Sequence, residues 1–359
     1  MVQLKTLGAA ALSLLAAVEV TAHPGHDHRA EAAARANYFA KAERRSLDHC
    51  SEKLKARGVE AKMTARRQAM HDQLSKRALL KRDLDTVLNT THHSNLTGIT
   101  PNTDSSVLFS GNNSCILAPE TTQGPYYVTG EYFRQDVTED EVGVPLYMDI
   151  QVIDTNTCEP LSGVAMDFWH CNSTGVYSGI VADSNGNADD TENINKTFLR
   201  GIQSTDADGD LQFVTIVPGH YTSRANHIHI VAHTAGTWSL LPNGTISGGT
   251  TAAHVGQLFF DQDLLYEVEA TEPYSTNTQD WTMNSEDSIL SSEADTIDPV
   301  VEYVLLGDSV SDGIFSWISV GIDPTSNQTV TPAAIYAAGG GYTNPDSSSG
   351  GGGGGAPPS

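Results

Sequence analysis

Residues 211–232 read LQFVTIVPGHYTSRANHIHIVA. This stretch contains two short runs of apolar, β-branched and aromatic residues, Leu211–Ile216 and His227–Ala232, which are joined by a more polar segment. Runs of this length and composition predict β-strands. Three further runs of the same kind are Leu146–Ile153, Val164–Trp169 and Gln257–Phe260.

Turn signals separate these runs, at residues 154–156, 183–186 and 206–210. Several short strands at close spacing favour a β-sandwich over alternating β-α-β units. We therefore predict an all-β core, a β-sandwich of short, mostly antiparallel strands, with a helical N-terminal segment and long C-terminal loops.

Charge divides the 359-residue chain, whose formal net charge is −24, into two unequal parts. Residues 1–82 carry 16 basic and 8 acidic residues, whereas the rest carries 4 basic and 36 acidic residues. An acidic chain repels phosphate backbones, so we expect no nucleic acid partner. Because cations are so rare in the acidic part, we expect each of them to have a specific role. They are Arg134, Lys196, Arg200 and Arg224.

The first 22 residues are typical of a signal peptide, because Lys5 precedes an apolar run and Val20-Thr21-Ala22 fits the cleavage rule. An N-terminal core helix is the alternative. We therefore expect a secreted, extracellular protein. No later stretch reaches 18 apolar residues, so no membrane span is expected.

Two further features agree with secretion. Seven N-x-[ST] sequons predict a glycosylated surface; they begin at Asn89, Asn95, Asn112, Asn172, Asn195, Asn243 and Asn327. Four cysteines, Cys50, Cys115, Cys158 and Cys171, predict two disulfides of open connectivity, with a zinc site as the alternative. Cleavage would also expose His23, where an N-terminal amine and nearby imidazoles could bind copper; a solvated tail is the simpler interpretation.

Composition predicts the following organisation: signal peptide 1–22, basic helical arm or pro-segment 23–82, linker 83–112, β-sandwich 113–270, loop-rich C-terminal extension 271–338, and flexible Gly/Ser tail 339–359. The dibasic pair Lys81-Arg82 favours removal of 23–82 as a pro-segment. Cys50 favours a retained arm, since its removal would leave an odd number of cysteines.

His227 and His229 are the first candidate metal ligands in the sequence. Residues i and i+2 of a strand project from the same face, so both imidazoles can meet one ion. Chance or an exposed pair is the alternative. No Asp or Glu lies within ten residues of the pair, and the nearest anionic candidates are the phenols Tyr177 and Tyr221.

A tyrosinate requires a strong Lewis acid, because the free pKa of a phenol is about 10. Ferric iron is hard and trivalent, and two phenolates with a hydroxide would neutralise it beside two neutral imidazoles. Zinc or magnesium would more naturally use thiolates or carboxylates. The alternative for each tyrosine is a core aromatic residue with a paired hydroxyl.

Several motifs follow one another in a fixed order along the chain: TTQGPYY (121–127), VPL (144–146), DFWHCN (167–172), GVYS (175–178), Arg200-Gly201, GDLQF (209–213), TIVPGHY (215–221), RANHIH (224–229) and Gln257. In this order they resemble the intradiol ring-cleavage dioxygenases, in particular the secreted fungal-type members. The resemblance covers roughly residues 115–265.

This resemblance implies a non-haem Fe(III) enzyme, an oxidoreductase that inserts O2 between the two hydroxylated carbons of catechol-type aromatics to give muconate-type diacids. By position it implies Tyr177, Tyr221, His227 and His229 as the metal ligands. Tyr221 would be the axial ligand that leaves when substrate binds, and so also a base. Cytosolic members dimerise through a helical N-terminal part, and whether residues 29–82 form such a homodimer stays open.

The resemblance also implies Arg224 beside the substrate ring, Gln257 near it, and Tyr126 in the pocket wall. For Arg224 the alternative is a surface salt bridge. The partners would be a small aromatic diol and O2, and the choice among catechol, hydroxyquinol and substituted diols stays open. A non-catalytic secreted β-sandwich that binds ligands on the same scaffold is the rival hypothesis.

Overall fold

The computed structural model describes residues 33, 36, 84–100, 102–103, 105–108, 114–116, 125–252, 254–295, 297–326 and 328–347. The predicted signal peptide, nearly all of the predicted arm, and the end of the predicted tail lie outside the described residues. Residues 33 and 36 are helical.

Sixteen strands form in the described part of the chain. They are β1 (Ser114–Ile116), β2 (Val128–Thr129), β3 (Pro145–Asp154), β4 (Ala165–Trp169), β5 (Arg200–Ser204), β6 (Asp210–Ile216), β7 (His227–His233), β8 (Ser239–Leu240), β9 (Ile246–Ser247), β10 (Thr251–Ala252), β11 (His254–Phe259), β12 (Glu302–Leu305), β13 (Ile314–Ile322), β14 (Gln328–Thr329), β15 (Ala334–Ala337) and β16 (Gly340–Thr343). The described α-helices are short: α1 (Leu84–Leu88), α2 (Ser105–Leu108), α3 (Gln262–Glu269) and α4 (Ser288–Ala294).

Two sheets carry the fold. The first has the order β1-β13-β3-β6, with β12 also paired to β13, and the second has the order β11-β7-β4-β5. Eight of the eleven described strand pairings are antiparallel. The predicted all-β fold of mostly antiparallel strands is confirmed, and each of the five quoted apolar runs forms a strand.

The main core lies between the two sheets, because alternate residues of each strand point into it. From the first sheet it takes Leu146, Met148, Ile150, Val152, Leu211, Phe213, Ile314, Ile318, Val320 and Ile322. From the second it takes Met166, Phe168, Ile228, Ile230, Ala232 and Leu258. Complete burial of one such aliphatic or aromatic side chain contributes about 1.5–3 kcal/mol, so this layer fixes the register of every strand that enters it.

The C-terminal part departs from the prediction of a loop-rich extension over 271–338. β13 lies in the middle of the first sheet, parallel to β1 and to β3, and all nine of its residues are buried. A strand buried on both faces shows no polar alternation. β13 was therefore not recognised among the polar residues that surround it in the sequence. The sandwich continues beyond residue 270, the predicted boundary.

The predicted linker and tail are also partly structured. α1 packs its Val87 into a cluster with Ile289 and Leu290 of α4. β16 pairs with β15, and Asn344 after it is buried. Residues 84–88 and 340–344 therefore belong to the folded body.

Cys171 is buried and has a free thiol, so the prediction of two disulfides among the four cysteines is wrong. Cys158 is disulfide-bonded. No helix among the described residues combines the length and the apolar character that a membrane crossing requires.

Candidate metal centre

Strand β7 divides its side chains between the two faces of its sheet. Ile228 and Ile230 enter the main core, so His227 and His229 project from the opposite face. The cross-strand neighbours of His229 are Trp169 on β4 and Gln257 on β11. The indole of Trp169 stacks on the His229 ring at 4.9 Å between centroids and 3° between planes, which fixes the orientation of this imidazole.

A tight loop after β4 delivers Tyr177. Asn172 folds this loop, because its Oδ1 accepts hydrogen bonds from the backbone N–H groups of Thr174 and Val176 at 3.1 and 3.0 Å. Gly175 has φ +83°, and a Cβ at this residue would lie 2.3 Å from the carbonyl oxygen of His220. Only glycine therefore lets the loop of Tyr177 approach the backbone that leads into Tyr221.

Tyr221 lies in the turn between β6 and β7. Arg224 N–H donates to the Tyr221 carbonyl at 3.3 Å, and Ser223 within this turn has φ +69°. The turn reverses the chain so that Tyr221 faces the imidazole of His227. A sequence separation of six residues thus becomes a contact.

The four side chains converge, and we call them the phenol–imidazole site: Tyr177, Tyr221, His227 and His229. Their exposed fractions are 0, 4, 1 and 3%. The two phenol oxygens are 3.4 Å apart, the Tyr221 oxygen is 3.2 Å from His227 Nε2, and the two imidazole Nε2 atoms are 3.0 Å apart. These three distances join the four polar atoms into one continuous cluster.

The spacing of these atoms fits a shared metal ion. Ligand atoms about 2.0–2.1 Å from a metal, at right or tetrahedral angles, lie roughly 2.9–3.4 Å from one another. The Nδ1–H of His227 donates to the Ala225 carbonyl at 2.6 Å, which leaves the Nε2 lone pair facing the site. This tautomer is the one that a metal ligand requires.

The donor set is unusual in its lack of carboxylates. Within the part of the chain that the structure describes, no three His, Cys, Asp or Glu side chains are grouped to hold a metal. Burial raises the pKa of both Tyr177 and Tyr221 above the ordinary phenol value. A metal that ionised these phenols would therefore have to be a strong Lewis acid, and the residues present fit a hard trivalent cation.

Arg224 and Gln257 lie directly beside the site. The Arg224 Nη1 atom is 3.5 Å from His227 Nε2, and Nη2 donates to Gln257 Oε1. The Nε–H of Arg224 donates to Asp287 Oδ2 at 2.8 Å, and Arg224 is only 2% exposed. The alternative of a surface salt bridge for Arg224 is therefore wrong.

Tyr126 covers the outer side of Tyr177, with 4.9 Å between the ring centroids. Its hydroxyl donates to Ser184 Oγ at 2.8 Å. Ser184 also lines a groove of about 490 Å³ that reaches Val176 and Thr222, the immediate neighbours of the two phenols. The other lining residues are Thr174, Asp183, Gly186, Thr276, Asn277, Thr278 and Gln279.

The structure brings together all seven side chains that the sequence analysis assigned to the site. It adds Trp169, which stacks on His229, and Asp287, which binds Arg224. Asp287 carried a readable signal, because it precedes the short helical run Ser288–Ala294 as a typical N-cap. Its distance of 63 residues from Arg224 gave no sign of the contact.

A family model described as Dioxygenase matches residues 122–288. Catechol 1,2-dioxygenase 1 of Acinetobacter lwoffii is 33% identical over 108 residues, which cover 29% of this chain and 32% of the relative. Catechol 1,2-dioxygenase of a Pseudomonas species is 38% identical over 65 residues, which cover 17% of this chain and 21% of the relative.

Among solved structures, an intradiol ring-cleavage dioxygenase from Tetranychus urticae is similar at 27% identity and a TM-score of 0.48. That match covers 62% of this chain and 100% of the other. The chain spans about a third or less of the curated relatives it matches. The residues that the family model matches contain all four side chains of the phenol–imidazole site, and the chain is similar in sequence to catechol 1,2-dioxygenases.

Proposed function

We propose that this protein is an active intradiol dioxygenase that holds a non-haem ferric ion through Tyr177, Tyr221, His227 and His229. It would insert O2 between the two hydroxylated carbons of a catechol-type aromatic and release a muconate-type diacid. The convergence of two phenol oxygens and two imidazole Nε2 atoms, at 3.0–3.4 Å between neighbouring atoms, carries this proposal.

Charge balance supports the ferric ion. Two buried phenols beside two imidazoles, with no carboxylate in the donor set, offer at most two negative charges from the protein. When bound, a ferric ion would supply the Lewis acidity that keeps both phenols ionised and draws electron density from a chelated diol.

Tyr221 is placed to act as a base. Its hydroxyl oxygen lies beside His227, and its neighbour Thr222 lines the groove. A diol that binds as a dianion must lose two protons; the Tyr221 oxygen would accept one of them and a hydroxide would accept the other. Tyr177, which is completely buried, would stay in place.

Arg224 is placed to stabilise negative charge. Its guanidinium reaches the ligand edge at His227, in a buried environment where a fixed cation acts strongly. Gln257 holds this guanidinium from the neighbouring strand β11. The aromatic rings of Trp169 and Phe259 pack against the two imidazoles and exclude water.

We infer that the substrate enters through this groove, which favours an uncharged diol. Among the described residues, its lining side chains are mostly hydroxyls and amides, with the carboxylate of Asp183 and no Lys or Arg. A substrate carboxylate would meet no positive partner among these described lining residues. We infer that catechol or hydroxyquinol would be accepted better than 3,4-dihydroxybenzoate.

Oxygen uptake and diacid formation with catechol, measured on the purified full chain, test the proposed activity. The expected result is turnover that stops when the Tyr177→Phe variant replaces the wild type. A colourless protein that binds catechol without consuming O2 would overturn the proposal and favour the rival binding module.

We also propose that the protein is secreted. The N-terminal signal pattern, the bonded Cys158 and four exposed described sequons, at Asn89, Asn95, Asn195 and Asn243, support this proposal. N-terminal sequencing of protein from the culture medium tests it. A start at His23 or Asp83 is expected, and retention of Met1 on an unglycosylated cellular protein would contradict it.

A further inference from the structure

Asp287 connects the Arg224 region to helix α4. Its carboxylate is 1% exposed, and each oxygen has a separate task. Oδ1 accepts hydrogen bonds from the N–H groups of Ile289 and Leu290 at 2.8 and 2.9 Å, which caps the helix. Oδ2 accepts from Arg224 Nε–H and from the Ala225 backbone N–H, both at 2.8 Å.

The Oδ2 contacts reach the phenol–imidazole site along two routes. Through the side chain of Arg224, they fix the guanidinium whose Nη1 faces His227 Nε2 at 3.5 Å. Through the backbone of Ala225, they hold the residue whose carbonyl accepts the Nδ1–H of His227 at 2.6 Å. One carboxylate therefore restrains both a buried cation and the orientation of an imidazole.

The charge of Asp287 matters as well as its shape. Arg224 is 2% exposed, and a buried guanidinium is strongly destabilised unless an anion pairs with it. Asp287 Oδ2 forms an ion pair with the Nε–H of Arg224. The amide oxygen of Gln257 accepts a hydrogen bond from Nη2 of the same guanidinium. Without the anion of Asp287, the buried guanidinium would favour a position closer to water.

We propose that Asp287 is a positioning residue for the ring-cleavage reaction: it holds Arg224 toward the reacting ring and His227 toward the metal. This inference rests on the proposed function. Helix α4, which begins after Asp287, packs through Ile289 and Leu290 against Val87 of α1. The placement of Arg224 would thus depend on a segment that precedes the residues matched by the family model.

Asp287→Asn separates the two tasks. Asn is as good an N-cap as Asp, so its single oxygen can keep the contacts to α4. Its NH2 group then faces the N–H groups of Arg224 and Ala225, where two donors cannot bond. We expect kcat with catechol to fall by about 10- to 100-fold, with KM within about threefold, while the visible band of the ferric protein stays because all four ligands remain.

Asp298→Asn is the matched control, because Asp298 is another buried carboxylate and pairs with His92. It is expected to lower the melting temperature without lowering kcat. If both variants lose kcat in proportion to their stability, the effect of Asp287 is merely structural and the proposal fails.

A double-mutant cycle tests whether Asp287 acts through Arg224. In an Arg224→Met background only the route through Ala225 and His227 remains, so Asp287→Asn is expected to lower kcat by a smaller factor than in the wild-type background. The same 10- to 100-fold loss in both backgrounds would overturn the proposal. An unchanged kcat of Asp287→Asn in the wild-type background would overturn it too.

Proton exchange of the Arg224 Nε–H, followed by NMR in the metal-free protein, needs no activity. We expect slow exchange in the wild type and at least tenfold faster exchange in Asp287→Asn, and equal rates would refute the positioning role. An inactive, colourless wild type that still shows this difference would refute the proposed function and leave the restraint on Arg224 established.

Discussion

Two buried histidine sites in this protein have opposite surroundings. His92 lies between two carboxylates, with Nδ1 2.5 Å from Asp261 Oδ1 and Nε2 3.1 Å from Asp298 Oδ1. We call these three residues the His92 clamp. His227 and His229 instead face each other and two phenols, and an arginine borders them.

The surroundings decide what each imidazole can do. Burial alone would lower the pKa of His92, but the hydrogen bonds and charges of Asp261 and Asp298 outweigh it and raise the pKa to about 10. Both of its nitrogens then donate, so no lone pair is left for a metal. At the phenol–imidazole site the carbonyl of Ala225 takes Nδ1–H of His227 and leaves Nε2 as an acceptor. The comparison teaches that a buried histidine becomes a candidate ligand when a neutral acceptor, not a carboxylate pair, holds its other nitrogen.

The largest expected effect follows from removing a donor of the phenol–imidazole site. His229→Ala takes away one of four converging atoms, so kcat with catechol is expected to fall by at least about 1,000-fold, more than about 4 kcal/mol of barrier. Oxygen uptake and the visible band measure this effect. His92→Asn, in the His92 clamp, is expected to retain both oxygen uptake and the visible band. An equal loss of activity in the two variants would contradict the assignment of different roles to the two histidine sites.

The His92 clamp is expected to contribute stability instead. His92→Asn leaves Asp261 and Asp298 buried without their cation, which costs about 3 kcal/mol, and chemical denaturation measures this free energy of unfolding. His93→Asn is the matched control, since His93 is the exposed neighbour whose ring stacks on Tyr303. A change below about 1 kcal/mol for His92→Asn would contradict the clamp.

Arg224→Ala removes the cation at the border of the phenol–imidazole site. We expect kcat to fall by about 100-fold, a loss typical of removing one buried electrostatic stabiliser, and catechol affinity to change by less than about fivefold. Steady-state kinetics with a separate anaerobic catechol titration resolves the two quantities. A kcat of Arg224→Ala within about twofold of the wild-type value would contradict the electrostatic role of Arg224.

Tyr221→Phe keeps the ring and deletes the proposed base. Catechol binding, followed by anaerobic stopped-flow absorption, is expected to slow by about tenfold, while most of the bound iron is retained by the other three ligands. Iron analysis is the control here. The proposed base role would be contradicted if the variant lost its iron and if catechol bound at the wild-type rate to the fraction that still holds iron. Tyr221 would then act only as a ligand.

The His92 clamp is also expected to depend on pH. The folded-state pKa of His92, about 10, exceeds the unfolded value of about 6.5. Its stabilisation is therefore complete below pH 6.5 and disappears as the pH rises through 10. The difference in melting temperature between wild type and His92→Asn should shrink steadily from pH 6 to pH 10, and a difference that grows over this range would contradict the sign.

The strands were predictable because their apolar runs are local signals. The run Leu211–Ile216 became β6 (Asp210–Ile216), and His227–Ala232 became β7 (His227–His233). β13 was missed because a buried strand lacks alternation and lies among polar residues. The pairing of His227 with His229 on one face followed from the period of two residues in a strand.

Long-range partners left no local signal. His92 lies 169 residues from Asp261 and Arg224 lies 63 residues from Asp287, and only folding brings these charges together. The family resemblance predicted that Arg224 and Gln257 lie near the site. It gave no sign that Asp261 and Asp298 contact His92. Buried charge pairs of this kind require the three-dimensional structure.

The visible absorption spectrum of the purified full chain, recorded before and after anaerobic addition of catechol, shows whether a ferric ion binds the two phenols. Two phenolates on a ferric ion predict a broad red-brown band that shifts when the diol binds. A protein that stays colourless after reconstitution with ferric iron would contradict the metal assignment of Tyr177, Tyr221, His227 and His229, and with it the proposed activity.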